Sequence, residues 1–161
     1  MTWTIRRADI ADTPVLSRLI QELNAYFGMD VPSFSPDLLA ETMAGDDPLV
    51  FAYLAEAPDG RAAGYALCQK FLDSDTGTLG TWLHDLYVEE AIRGAGLGRR
   101  LLAVVARDAK AKGQRMVGWA VYADNPARRL YDRVGVALED EALVYELRDA
   151  RLDLLASEAQ I

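Results

Sequence analysis

The sequence predicts one α/β domain around a single central sheet, and three observations carry that reading. Segments of strand character alternate along the chain with segments of helical period, a pattern that requires helices packed on a sheet. The length, 161 residues, falls in the range of one hydrophobic core, so residues 1–161 read as a single domain. A composition 51% hydrophobic and 26% charged is ordinary globular usage, with enough apolar surface to offset the entropy of ordering.

The elements follow in order. Trp3, Ile5 and Arg7 alternate with Thr4 and Arg6 as in a first strand. Asp12 or Thr13 with Pro14 opens a helix whose Leu16, Leu19, Ile20, Leu23 and Phe27 form one apolar face, and Gly28 and Pro32 break the pattern. Ser35 is the expected N-cap of a short helix, Pro36–Met43, that stops at Gly45. Strands are expected over 49–55, 63–71 and 79–88, the first two joined by the turn Pro58, Asp59, Gly60. A polar, glycine-rich loop, 89–98, leads into a helix over 99–112 that Gly113 ends. A strand is expected over 116–122. Asn125 and Pro126 then read as N-cap and first residue of a helix ending at Gly135. A last strand is expected over 143–147, with 148–161 as a weak amphipathic helix or frayed tail.

Charge and composition exclude several function classes. Seventeen Lys plus Arg against twenty-five Asp plus Glu leave a formal charge of −8, which disfavours nucleic acid or an anionic membrane as partner and favours a cationic small molecule. One cysteine, Cys68, cannot make an internal disulfide, and with one histidine, His84, there is no Cys/His zinc set; no metal is implied. The start, MTWTIRRADIADTP, carries no apolar h-region, and the apolar run 101–106 is too short to span a bilayer. The expectation is a cytoplasmic protein.

The strongest local signal is Arg93, Gly94, Ala95, Gly96, Leu97, Gly98, between a strand and a long helix, where backbone N–H groups can meet an anion at the positive helix end. A Walker loop is excluded because no Gly-Lys-Ser or Gly-Lys-Thr follows, and a Rossmann loop because Arg99 stands where its last glycine belongs. A plain strand-to-helix connection needing glycine at φ > 0 is the alternative. The remaining Arg-x-x-Gly-x-Gly pattern resembles the coenzyme A pyrophosphate loop of the GCN5-related N-acetyltransferases, the GNAT family. Asn125 to Gly135, with Leu130 and Tyr131, resembles that family's second motif. Residues 19–23 and 83–88 are similar to its diamine and polyamine branch, spermidine/spermine-type.

The resemblance implies a mixed, mostly antiparallel sheet splayed between the two strands that hold the cofactor, helices on both faces, acetyl-CoA as co-substrate, and a homodimer. It places the backbone of Leu86, Tyr87 and Val88 along the pantetheine arm, Arg93 to Arg99 around the pyrophosphate, and Asn125 and Arg128 further along. Acetyl transfer to an amine needs a neutral amine, a stabilised oxyanion and a proton for the thiolate. Backbone N–H groups near Val88 suit the oxyanion. Tyr131 matches the family's thiolate proton donor, the alternative being a core aromatic. His84 stands where the branch has glutamate, so it reads as a base or as a sheet histidine satisfied by a carbonyl. Alternation sends Asp85 to the face opposite His84. Asp85 and Tyr26 are the candidate acceptor-binding residues, with Phe27 as a further pocket aromatic. Glu22, Asp30, Asp37 and Glu41 lie on the early helices that wall the acceptor site in this family. Arg99, Arg100, Arg128, Arg129 and Arg133 are read as partners of the coenzyme phosphates. The activity implied is acetylation of a primary amine on a small cationic metabolite. The alternatives are acetylation of a protein lysine or N-terminus, and a non-catalytic acyl-CoA sensor.

Overall fold

The computed structural model describes residues 3–29, 35–139, 144 and 146–158. Five strands make one sheet in the order β1 (Thr4–Arg7), β2 (Val50–Glu56), β3 (Ala62–Asp73), β4 (Thr78–Val88), β5 (Val117–Gly118). The first four pair antiparallel, β2–β3 and β3–β4 through short turns and β1–β2 through the segment that carries α1 and α2, and β5 returns parallel to β4 after the crossover helix. Strands β2 and β3 are buried almost throughout because both faces of the sheet are covered. Helices α1 (Thr13–Tyr26) and α2 (Pro36–Met43) cover one face, with Leu16, Leu19, Ile20 and Leu39 against Leu54, Tyr65 and Leu67. Helices α3 (Leu97–Ala111) and α4 (Arg128–Val134) cover the other, with Leu101, Leu102, Val105 and Tyr131 against Tyr53, Ala66, Cys68 and Leu83.

Local chemistry explains the starts. Pro14 sits in the first turn of α1, but Asp12 does not cap it; its carboxylate is taken by Arg6 and by the Asp9 N–H. Ser35 caps α2 as expected, accepting from the Asp37 N–H. Helix α3 starts two residues earlier than expected because Gly96, at φ 78°, supplies the left-handed cap.

Two expectations are corrected. The strand over 116–122 reduces to two residues, because Trp119 leaves the ladder to pack its ring 5.0 Å from that of Tyr131. Asn125 and Pro126 form a turn rather than the first helical residues, so α4 begins at Arg128; Asn125 still caps, its Oδ1 accepting from the Ala127 N–H at 2.8 Å. The strand over 143–147 lies partly outside the described residues, as do Pro32 and Asp30. A fifth helix, α5 (Asp149–Ala156), buries none of its residues. Among the described residues no helix is long and apolar enough to cross a membrane.

Candidate active site

The sheet opens where β5 stops. Pairing between β4 and β5 ends at Trp82 and Gly118, while β4 runs six residues further to Val88. Which backbone groups face this opening is decided by a bulge. Leu67 lies opposite Asp85 but Cys68 lies opposite Leu83, so His84 is the extra residue on β4. Before the bulge the Thr81 N–H points to the β5 side, donating to the Met116 carbonyl; after it the Glu89 N–H points to β3, donating to Ala63. Two-residue alternation then turns Leu86 and Val88 toward the opening and Tyr87 toward β3, opposite Tyr65. Of the three residues expected to line a cofactor arm, Leu86 and Val88 offer backbone groups, whereas Tyr87 turns its backbone to β3 and its ring into the α1/α2 core.

The bulge also overturns an expectation about side chains. Strict alternation separates His84 and Asp85, but both sit on the α1/α2 side. His84 Nε2 lies 2.8 Å from Gln69 Oε1, and Gln69 is opposite Val50, which packs in the α1/α2 core. Asp85 accepts from the Tyr65 hydroxyl at 3.0 Å in the same layer. Because an amide oxygen only accepts, Nε2 is the ring nitrogen that donates to Gln69, and Nδ1 is the one left for another partner. Burial pushes the Asp85 carboxyl upward, opposed by the Tyr65 hydrogen bond and by His84. His84 is therefore satisfied by a side-chain amide rather than a backbone carbonyl.

On the opposite face Tyr131 is buried at 8% exposure in the cluster that includes Leu83, Leu86 and Val88. Burial raises its phenol above the ordinary value, so it stays protonated. Among the described residues its hydroxyl has no hydrogen-bond partner.

The glycine loop closes one end of the opening. Gly94 (φ 88°) and Gly96 (φ 78°) adopt left-handed conformations with open space where side chains would stand, so their loop is bare toward solvent. The first N–H groups of α3, at Leu97, Gly98 and Arg99, follow directly. Gly98 serves packing instead: a Cβ there would meet Leu130 of α4 at 3.3 Å. Arg93 donates from Nε to the Val88 carbonyl at 3.0 Å and lays its guanidinium 4.5 Å from the Tyr26 ring centroid and 5.9 Å from that of Tyr87. Phe27 meets Tyr122 at 6.2 Å, so the end of α1 reaches the segment after β5. The Tyr87 hydroxyl donates to Glu22 at 3.4 Å, and Glu22 pairs with Arg18.

The arginines divide. Arg99 is exposed at the start of α3. Arg100 donates to the Trp3 carbonyl at 2.8 Å and Arg128 to the Ala123 carbonyl at 2.7 Å, so these two hold the chain rather than point free into the opening. Cys68 is buried, and burial pushes its thiol up to about 12. A cleft of about 580 Å³ lined by Arg7, Met43, Lys70 and Lys112 lies at the other end of the sheet, six residues along β3 from Gly64, roughly 20 Å away, and is not this site. The bulge, Tyr65, Gln69 and the Arg93–Tyr26 stack were not legible in the sequence; Leu-His-Asp carries no glycine or other mark of a bulge.

Comparisons with known proteins bear on the family and the fold. The chain is 35% identical over 105 residues to human spermidine/spermine N(1)-acetyltransferase-like protein 1, covering 61% of this chain and 15% of that protein, so it spans about a seventh of that relative. It superposes on an integron cassette protein from the mobile metagenome of V. cholerae with TM-score 0.79 at 23% identity, covering 98% of this chain and 99% of the other. An aminoglycoside acetyltransferase from an uncultured soil metagenomic sample superposes with TM-score 0.77 at 18% identity, covering 89% and 94%. A ribosomal-protein-alanine N-acetyltransferase from Brucella melitensis biovar Abortus 2308 does so with TM-score 0.74 at 20% identity, covering 90% and 99%. These likenesses share the fold. Residues 16–136 match the family model described as acetyltransferase (GNAT) family, and the chain belongs to that family.

Proposed function

We propose that this protein transfers acetyl from acetyl-CoA directly to a primary amine of a small cationic metabolite of the diamine, polyamine or basic amino acid type. The observation that carries the reading is the opening beyond Trp82 and Gly118, which has the N–H groups of Leu86 and Val88 on its edge, a glycine loop at its end, and opposite chemistry on its two faces. Acetyl-CoA supplies the thioester acyl group. The open space beside Gly94 and Gly96, followed by the α3 N-terminus, fits a pyrophosphate, and Arg93 and Arg99 add positive charge. Leu86 and Val88 offer N–H groups to a developing oxyanion. On the α1/α2 face Asp85 attracts an ammonium, and His84, its Nε2 held by Gln69, accepts its proton through Nδ1. On the other face Tyr131 holds the proton that a departing thiolate needs. Tyr26, half exposed and stacked with Arg93, lines the mouth, and the net charge of −8 favours a cationic acceptor.

The test is release of free coenzyme A thiol from acetyl-CoA between about pH 7 and 9, against putrescine, spermidine, lysine, an aminoglycoside and a basic peptide. Release that depends on a small amine is the expected result. Release with the peptide alone moves the reading to protein acetylation. Acetyl-CoA binding without release in the presence of every amine makes the chain a sensor, and absence of binding overturns the loop assignment.

A further inference from the structure

We propose that Tyr65 is a positioning residue, whose buried hydroxyl fixes the Asp85 carboxylate beside His84 on the acceptor face and keeps it charged there. This deepens the reading above and rests on it for the acceptor's identity. The bulge at His84 carries Asp85 onto the α1/α2 side of the sheet, away from the side of its near neighbour Leu83. A carboxylate so placed under α1 loses hydration and requires a donor. Among the described residues no Lys or Arg is paired with Asp85, and Tyr65, wholly buried, is the donor, with its hydroxyl 3.0 Å from Oδ2.

The groups facing Asp85 are few. From β3 come Tyr65 and, through space, Cys68; from β4 come His84 and Tyr87. From α1 Glu22 reaches only as far as the Tyr87 hydroxyl. Burial drives the Asp85 carboxyl toward its neutral form, and the Tyr65 hydrogen bond is the larger of the two effects that oppose it. Tyr65 therefore favours the charged form of Asp85 against the effect of burial. Its ring also fills the core beneath α1, and Tyr65→Phe keeps that packing while removing the hydroxyl alone.

The experiment follows the Asp85 side-chain carboxyl carbon by NMR against pH, its resonance assigned by loss in Asp85→Asn. In Tyr65→Phe the midpoint should rise by about one pH unit or more, the size of a hydrogen bond to a charged group. A midpoint within roughly 0.3 unit of wild type overturns the inference. Should Tyr65→Phe fail to fold, the wild-type protein gives the second measurement. The Tyr65 ring carbon bearing the hydroxyl should step at the Asp85 midpoint, and a flat trace there also overturns it. Kinetics with spermidine separates the two readings. If the Asp85 midpoint rises, the acidic limb of kcat/KM in Tyr65→Phe should move up with it, and Tyr65→Phe should change nothing in the Asp85→Asn background. A midpoint that rises while that limb stays fixed supports the Tyr65 inference and removes Asp85 from acceptor recognition.

Discussion

Gly64→Ala is the sharpest test of the packing that shapes the opening. Gly64 sits opposite Val88 at the end of the β3–β4 ladder, in a position where the backbones approach closely. A Cβ built there would stand 2.8 Å from the Tyr87 carbonyl oxygen, 3.3 Å from Val88 Cγ2 and 3.4 Å from Val88 Cα. Two of these three atoms are backbone and cannot rotate away, so relieving the contact requires β4 to move by roughly half an ångström toward the opening. Overpacking of this kind costs about 1–3 kcal/mol, or about 2–10 °C in Tm for a domain of this size. Urea unfolding followed by tryptophan fluorescence gives the stability, and equilibrium binding gives acetyl-CoA affinity, which should fall because the displaced strand end carries Val88. Gly80→Ala is the internal control. Its Cβ would stand 2.5 Å from the Phe71 ring, a nominally worse contact, but with side-chain atoms that can swing. Gly64→Ala should therefore destabilise more than Gly80→Ala. The reverse order, or Gly64→Ala within about 0.5 kcal/mol of wild type with unchanged binding, refutes the reasoning.

Three further outcomes are expected. Tyr131→Phe should lower kcat by about 10²-fold or more while acetyl-CoA affinity stays within about twofold. Since no described residue bonds its hydroxyl, Tm should barely move, and an unaltered kcat removes Tyr131 from the chemistry. Arg6, donating to Asp12 at 2.6 and 2.7 Å, holds the Asp12 carboxyl below its usual range. A depressed folded-state value gives stability that is present above the unfolded value near 4 and is lost as pH falls through the folded value. The unfolding free energy of wild type from urea titration should exceed that of Asp12→Asn at about pH 6, by about 1 kcal/mol for a partly exposed pair, with the gap shrinking toward about pH 3; a gap that does not change with pH refutes the assignment. Cys68, its thiol pushed up to about 12 by burial, should resist a thiol reagent at about pH 8 until the protein unfolds, and rapid native labelling would contradict its placement.

Much of the layout was legible because it rests on local chemistry. Helix α1 was readable from its apolar spacing with Pro14, α2 from Ser35 and Pro36, and the β2–β3 turn from Gly60, which adopts φ 84° as that turn requires. The end of β5 was not, because the residues over 116–122 keep strand character and only the Trp119–Tyr131 contact takes the chain out of the ladder. Arg100 and Arg128 read as free cations until the backbone carbonyls they bond, those of Trp3 and Ala123, are in place.

By itself the sequence determined the glycine loop before a long helix, the Tyr131 helix behind it and the interleaved α/β order, since φ > 0 at Gly94 and Gly96 and the period of an apolar face are properties of neighbouring residues. Tertiary structure alone decided which face His84 and Asp85 share and which backbone groups meet the opening. A bulge is a mismatch in count between two strands, so its one extra residue, His84, is defined only once Leu67 and Cys68 have found Asp85 and Leu83 across the ladder.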